Sequence, residues 1–216
     1  MSHPSGPEVR IIHSLRVRGL ADTPLVAAAA GMPEVEVKGR LSDLQTAGDV
    51  RYRDGRMSGW MLTPDGRRRG EELLAAELDA GGVRDGIDAS YRAFLAVNQR
   101  FLKLCTDWQM RVPADDPGGE PVLNDHTDAD HDAAVINRLA AIDEVVQEIS
   151  AGLAALLDRF DGYGRRFGEA LARVRAGDHK WFTRPMIESY HTVWFELHED
   201  LLATLGIQRA GETVAV

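Results

Sequence analysis

The chain has 216 residues and a formal net charge of −9, and 44% of its residues are apolar and 27% charged. This composition is that of a folded globular protein and excludes an intrinsically disordered chain, and the length allows one large domain or two small ones. No apolar run has the length of a signal peptide at the N-terminus or reaches the roughly 20 residues of a membrane span, so we expect a cytoplasmic protein without membrane contact.

Charge is divided unevenly along the chain. Residues 1–82 carry 11 Lys and Arg against 12 Asp and Glu, whereas residues 83–216 carry 14 against 22. A polyanion would be repelled by the acidic second part. Any contact with nucleic acid is therefore expected in the first part.

Apolar periodicity and turn residues predict three short helices within residues 7–48. Pro7 is placed to open the first helix, and Asp22 or Thr23 is placed to cap the second. The third helix should end at Gly48, because glycine is favoured just past a helix C-terminus. Its apolar residues share one face: Val37, Leu41 and Leu44.

A β-hairpin and a fourth helix are predicted next. Apolar residues and arginines alternate from Val50, Asp54-Gly55 predicts a two-residue turn, and Trp60 lies on the return strand. Thr63 then caps the fourth helix. Three helices, a hairpin and a helix, in this order, are typical of a winged helix-turn-helix domain.

The stretch LQTAGDVRYRDGRMSGWMLTPDGRRRGEELL resembles MarR-type bacterial regulators between their recognition helix and the end of their wing. In those proteins the motif LxxLxxAG, a short hairpin and the motif LTPxGR recur in this order. The resemblance covers roughly residues 8–79. It implies a DNA-binding transcriptional regulator with double-stranded DNA as its partner.

The hairpin and the helix after it contain most of the basic residues of this part. Between Val50 and Gly70 there are six arginines and two aspartates. A wing with arginines at its tip can lie along a phosphate backbone, although charged turns that pair with nearby aspartates are also common. In the third helix Lys38 and Ser42, one turn apart, are the preferred pair for reading bases, and Arg40 is expected to meet a phosphate. The predicted DNA contacts are Lys38, Arg40, Ser42, Arg51, Arg53, Arg56 and Arg67.

The second part has helical periodicity almost throughout, and four helices are predicted as a compact bundle or as half of a dimeric one. The last of them should begin at a Thr183 cap and end at Gly206. The predicted fold class is therefore mainly α. An N-terminal winged helix-turn-helix with a short β-hairpin wing occupies residues 1–80, and an all-α helical bundle domain for ligand binding and dimerisation occupies residues 83–210.

The acidic segment NDHTDADHD is rich in aspartate and histidine, residue types that bind metal ions. Asp128, Asp130 and Asp132 alternate as in an EF-hand loop, but Ala133 stands where that loop needs glycine and Leu139 where it needs glutamate. The preferred interpretation is an acidic loop that caps the next helix. No metal ligand and no cofactor is assigned.

Aromatic and histidine residues of the second part are candidates for a small-molecule site, and the alternative is that they pack the bundle and a dimer face. His191 and His198 lie about 10 Å apart along a helix, which is too far for both to bind one ion. A metal-sensing regulator, resembling the C-terminal part of some GntR-type proteins, would add His179 to this pair. The candidate ligand-binding residues are Trp108, Trp181, Tyr190, His191, Trp194 and His198.

Two functions remain open. The leading one is a homodimeric, effector-responsive transcriptional regulator. The alternative is a winged-helix interaction module with little DNA affinity, which the acidic residues Glu34 and Glu36 would favour and which would partner an enzyme. The segment SYHTVWFELHEDLLATLG is similar to actinobacterial winged-helix proteins, some of them linked to phosphoenolpyruvate-utilising enzymes. No nucleophile motif or phosphate-binding glycine loop is present, so no catalytic residue is assigned and no enzyme is expected.

Overall fold

The computed structural model describes residues 2–113 and 118–208, and within them the chain is mainly helical. The helices are α1 (Pro7–Arg18), α2 (Thr23–Ala30), α3 (Glu34–Ala47), α4 (Pro64–Gly81), α5 (Arg84–Gln109), α6 (Ala129–Leu156), α7 (Tyr163–Arg175), α8 (Lys180–Thr183) and α9 (Tyr190–Leu205), with a short 3₁₀ turn at Asp158–Phe160. The strands are β1 (Val50–Arg53), β2 (Gly59–Leu62), β3 (Met110–Arg111) and β4 (Val122–Leu123), paired antiparallel as β1 with β2 and β3 with β4. Among the described helices, none has the length and apolarity needed to cross a membrane.

The chain forms two compact units. Unit 1 draws its described residues from Met1–Ala89, Leu153–Asp161 and Glu196–Val216, and unit 2 consists of Ser90–Gly152 and Gly162–Phe195 as far as they are described. The boundary predicted between residues 80 and 83 lies inside unit 1.

The three N-terminal helices form where the turn residues predict them. Pro7 is in the first turn of α1, and the Asp22 carboxylate accepts a hydrogen bond from Leu25 N at 3.0 Å, which caps α2. Gly48 ends α3 with φ at 86°, a left-handed conformation that glycine adopts without strain. The helices of unit 1 enclose one apolar cluster together with the hairpin. Its buried members are Ile11, Ile12, Leu15, Ala21, Val26, Ala27, Ala30, Val37, Leu41, Leu44, Val50 and Leu62.

The hairpin is present, but its predicted two-residue turn at Asp54-Gly55 is wrong. The strands pair from Val50 opposite Leu62 to Arg53 opposite Gly59, which leaves residues 54–58 as the connecting loop. Trp60 lies opposite Tyr52 in this register and also exchanges two backbone hydrogen bonds of 2.8 and 3.1 Å with Ala21, which hold β2 against the segment before α2. A shift of β2 by one residue would turn the buried side chain of Leu62 to solvent.

Unit 2 is built around an aromatic core. Its buried rings include Phe94, Phe101, Phe167, Tyr190 and Trp194. The prediction of helices alone is incomplete here, because β3 and β4 form a sheet of two residues each after α5. This sheet brings Asn124, which follows β4, next to the end of α5, where Asn124 N donates to Gln109 O at 2.8 Å.

The last helix begins later than predicted. Thr183 is the final residue of α8, and α9 starts only at Tyr190, where the Ser189 hydroxyl accepts from Thr192 N at 3.3 Å. Pro185 lacks a backbone N–H and Met186 has φ at 66°, so the intervening segment cannot continue as a helix. The predicted end at Gly206 is confirmed.

Candidate functional site

The exposed face of α3 has basic and polar side chains. Lys38 and Ser42 are exposed and lie one turn apart, whereas Val37 and Leu41 of the same helix are buried. Arg40 is engaged with its own helix, because its Nε donates to Glu36 Oε1 at 2.9 Å. Lys38 makes no ion pair with any residue that the structure describes, whereas the charge of Arg40 is balanced within its own helix.

The hairpin, which we call the wing, presents unpaired arginines. Arg51, Arg53 and Arg56 are exposed, and none of them makes an ion pair with any residue that the structure describes. Tyr52 and Trp60 support the hairpin from opposite strands, with ring centroids 5.1 Å apart at an angle of 72°. Such an edge-to-face pair adds about 0.5–1.5 kcal/mol beyond area burial.

The three arginines at the start of α4 differ from those of the wing. Arg68 pairs with Asp65 at 2.9 Å, and Arg69 pairs with Glu8 and lies 3.6 Å from Asp49. Only Arg67 of this triplet has no ion pair with a described residue.

Arg67 lines a cavity of about 410 Å³ within unit 1. Charged groups of both signs surround it, among them Arg16 and Glu199, which pair with each other at 2.7 Å. Its other walls include the apolar side chains of Ile12 and Leu74. None of the six predicted ligand-binding residues is among the described residues that line this cavity.

A buried ionic cluster lies in the core of unit 1, and sequence reasoning missed it. Arg159, with its side chain 4% exposed, donates to Glu77 at 2.9 Å, to Asp200 at 2.7 Å and to the Thr204 hydroxyl at 2.7 Å. His13 Nε2 lies 2.8 Å from the same Asp200 oxygen. Because the members come from four distant parts of the chain, no local motif could have revealed them.

Two of the predicted ligand-binding residues are part of the aromatic core of unit 2. Trp194 stacks on Phe101 with centroids 4.0 Å apart, and its Nε1 donates to Asn98 Oδ1 at 2.9 Å. Tyr190 is fully buried and its hydroxyl donates to Asp143 Oδ1 at 3.0 Å. Both side chains thus have their polar atoms satisfied within the core.

The other four candidates differ from these two in their surroundings, although His191 lies against the same Phe101 ring. Trp181 packs under the guanidinium of Arg173 at 4.4 Å, and His191 stacks on Phe101 with centroids 6.2 Å apart. Partial burial lowers the pKa of His191, which favours its neutral form. His198 belongs to unit 1, and Trp108 contacts His126 and His179, neither of which is among the six predicted ligand-binding residues.

The acidic loop before α6 has two roles. Asp128 Oδ1 accepts from His131 N at 3.0 Å, so the predicted capping of the helix is confirmed for this residue. Asp132 instead turns toward His126 and His179, and one ligand atom from each of the three residues falls within 4.8 Å of the others. We call these three residues the His-Asp-His cluster. His191 and His198, which the metal-sensor hypothesis joined to His179, are not members of it.

Comparison of the chain with models of protein families, with curated proteins and with solved structures finds no match. Functional inference therefore depends on the geometry of the chain itself. Two features of the described residues bear on function. One is the set of exposed cations of the wing and α3 that have no ion pair with a described residue, and the other is the His-Asp-His cluster.

Proposed function

We propose that the protein is a transcriptional regulator that binds double-stranded DNA through a winged helix-turn-helix formed by α1 to α4 and the wing. The observation that carries this proposal is a group of exposed cations without ion-pair partners among the described residues. They are Lys38, Arg51, Arg53 and Arg56. A cation already paired with a carboxylate has little to gain from a phosphate, whereas an unpaired one releases counterions from DNA when it binds.

The order and pairing of the elements support this proposal. The hairpin follows α3 directly and is tied to the segment before α2 by the Ala21–Trp60 backbone bonds. A wing held in this way keeps its arginines at a fixed position relative to α3 within unit 1. In a winged helix, α3 would read bases in the major groove and the wing would contact the backbone.

We also propose that the protein forms a dimer and responds to a small-molecule effector. A two-fold dimer would place two α3 helices about one DNA turn, roughly 34 Å, apart. An effector would act by favouring one separation over another, to the extent of its differential affinity for the two states. The net negative charge of residues 83–216 would repel DNA, so that DNA would bind at the N-terminal part.

Fluorescence anisotropy tests the proposal. Binding is measured against DNA from upstream of the protein's own gene and against a scrambled fragment, each over a salt series. We expect tighter binding to the native fragment, with both affinities falling steeply as salt rises. The double variant Arg53→Ala/Arg56→Ala should weaken binding to both fragments and reduce the log–log salt slope by about 1.8, since each lost phosphate contact contributes about 0.9.

Arg68→Ala is the matched control, because Arg68 is an exposed arginine of the same domain that is already paired with Asp65. It should leave affinity and slope nearly unchanged. Lys38→Ala should alter the preference between the two fragments, because α3 reads sequence. A double wing variant that binds as tightly as the unmodified protein, with the same slope, would overturn the assignment of the wing.

A second candidate function is a protein-interaction module. It is favoured by the exposed carboxylates Glu34 and Glu36 in the first turn of α3, the end that would approach DNA, and by the pairing of Glu36 with Arg40. Equal and feeble binding to both fragments, together with a stoichiometric protein partner on co-purification from the native host, would support it over the regulator.

A further inference from the structure

We infer that the His-Asp-His cluster of unit 2 is a binding site for a divalent transition-metal ion. Its three members come from separate parts of the chain. His126 lies in the loop after β4, Asp132 in the first turn of α6, and His179 directly before α8. This site is independent of the proposed DNA contacts, since its residues and its test do not involve unit 1.

The donor atoms are spaced for one ion. Asp132 Oδ2 lies 3.0 Å from His126 Nδ1 and 4.0 Å from His179 Nδ1. Metal–nitrogen and metal–oxygen bonds of about 2.0–2.2 Å place two ligands of one ion about 3.0–3.5 Å apart. His126 Nδ1 already has this spacing from Asp132 Oδ2, and His179 Nδ1 would have to approach Asp132 Oδ2 by roughly half an ångström.

The carboxylate of the cluster is oriented by a neighbouring amide. Asn124 Nδ2 donates to Asp132 Oδ1 at 2.8 Å and to Trp108 O at 3.1 Å. This leaves Asp132 Oδ2 directed at both imidazoles. Asp132 is 4% exposed and Asn124 9% exposed, so both are held in place by burial. Such an outer-shell hydrogen bond to a ligating carboxylate is a regular feature of metal sites.

The two imidazoles are also held in place. His126 has a φ of 60°, a left-handed conformation that is costly for a residue other than glycine. Its backbone N–H donates to Asn124 Oδ1 at 3.1 Å. The Trp108 ring packs against His126 and His179 at centroid distances of 4.4 and 5.2 Å. One side of the cluster is therefore an apolar wall, whereas His126 is exposed on the other.

This ligand set selects the kind of ion. Two imidazoles and one carboxylate suit Zn²⁺, Co²⁺, Ni²⁺ or Fe²⁺, whereas Mg²⁺ and Ca²⁺ prefer oxygen ligands. Three protein ligands leave at least one coordination position for water or an external anion, as in open zinc sites. The exposed side at His126 gives solvent access to that position. The site can thus bind a small anionic ligand through the ion.

The experiment uses the full chain after treatment with a chelator, titrated with ZnCl₂ in a calorimeter and with CoCl₂ in a spectrophotometer. We expect one ion per chain, visible Co²⁺ bands of histidine coordination, and no competing uptake of Mg²⁺. His126→Gln, His179→Gln and Asp132→Asn should each lower the affinity for Zn²⁺ by about 100-fold or more. Asn124→Ala should lower it by about 10–100-fold, as loss of an outer-shell partner does.

His131→Gln is the matched control. His131 neighbours Asp132 in sequence, but its Nε2 faces Asp107 O at 2.8 Å and it is not a member of the cluster. Its replacement should leave Zn²⁺ affinity unchanged. His179 is 37% exposed, so His179→Gln should fold normally, and circular dichroism of each metal-free variant checks this.

Histidine ring NMR spectra supply a readout that needs no variant. Zn²⁺ should shift the ring signals of His126 and His179 and leave those of His131 in place. Failure of the chelator-treated chain to bind Zn²⁺ or Co²⁺ would overturn the proposal and leave His126 and Asp132 as an ordinary ion pair. Equal loss of affinity in His131→Gln and His179→Gln would also overturn it.

Discussion

The Arg159 guanidinium donates to the Asp200 carboxylate at 2.7 Å in unit 1, and both side chains are almost fully buried. A buried charge without a partner of opposite sign destabilises the fold, so each of these two side chains depends on the presence of the other. Glu77 and Thr204 complete the hydrogen bonding of Arg159. The cluster therefore makes the core of unit 1 sensitive to the loss of any one member.

We expect Arg159→Met to lower the free energy of unfolding by about 3–5 kcal/mol, because Glu77 would remain as a buried charge without its cation and Asp200 would keep only His13 as a partner. Urea denaturation followed by circular dichroism measures this. Arg68→Ala, which removes an exposed ion pair, should cost at most about 1 kcal/mol. Similar costs for the two variants would show that the Arg159 cluster does not stabilise the fold.

We expect the free energy of unfolding to fall at acid pH because the Asp200 carboxylate becomes protonated. Burial alone would raise the pKa of this carboxyl, but His13 and Arg159 outweigh burial and hold the pKa far below its usual range. A depressed carboxyl pKa gives stability that is fully present above the unfolded value of about 3.9 and is lost as pH falls from there toward the folded value. The stability difference between the unmodified protein and Asp200→Asn should shrink below about pH 4. A difference that is constant from pH 6 to acid, measured by urea denaturation, would contradict this.

Gly66 explains the motif LTPxGR in physical terms. A side chain on Gly66 would collide with the backbone carbonyl of Asp49, which accepts from Thr63 N at 2.9 Å and holds the start of α4. We expect Gly66→Ala to destabilise the protein by about 2–4 kcal/mol, as overpacking against rigid backbone does. Gly39→Ala in α3 is the control, since nothing lies within 4 Å of its added Cβ. That change should raise stability by about 0.5–1 kcal/mol in thermal melts.

Cys105 should be chemically inert in the native protein. Burial raises the pKa of its thiol to about 12, so very little thiolate forms at neutral pH. A disulfide reagent at pH 8 should react only slowly until urea is added, and then at once. Rapid labelling of the native protein would show that the thiol is accessible and would contradict this expectation.

Local signals in the sequence predicted most of the helices. Asp22, Gly48 and Gly206 are found at the helix ends that their residue types favour, and the buried stripe of α3 follows the apolar period. The turn of the wing and the start of α9 could not be predicted in this way. The first depends on how the two strands of the wing pair, and the second on the backbone of residues 184–189.

The candidate sites also differ in this respect: one consists of residues that are close in sequence, and the other of residues that only the fold brings together. The wing arginines could be named from the sequence because they are close together in it. Side-chain geometry decides that Arg40 and Arg68 are paired, whereas Arg53 and Arg56 have no ion pair with a described residue. The His-Asp-His cluster needed the fold, since His179 is far in sequence from the acidic loop it joins.

The buried cluster of unit 1 has a consequence for the newly synthesised chain. Glu77 leaves the ribosome 82 residues before Arg159, which at typical rates is roughly 4–16 seconds. During that interval the first four helices and the wing exist without the cation that neutralises Glu77, and Asp200 follows later still. The surface that we propose contacts DNA would therefore reach full stability only after the chain has been made through α9. A nascent or truncated N-terminal fragment should then be a poor competitor for the sites of the finished protein.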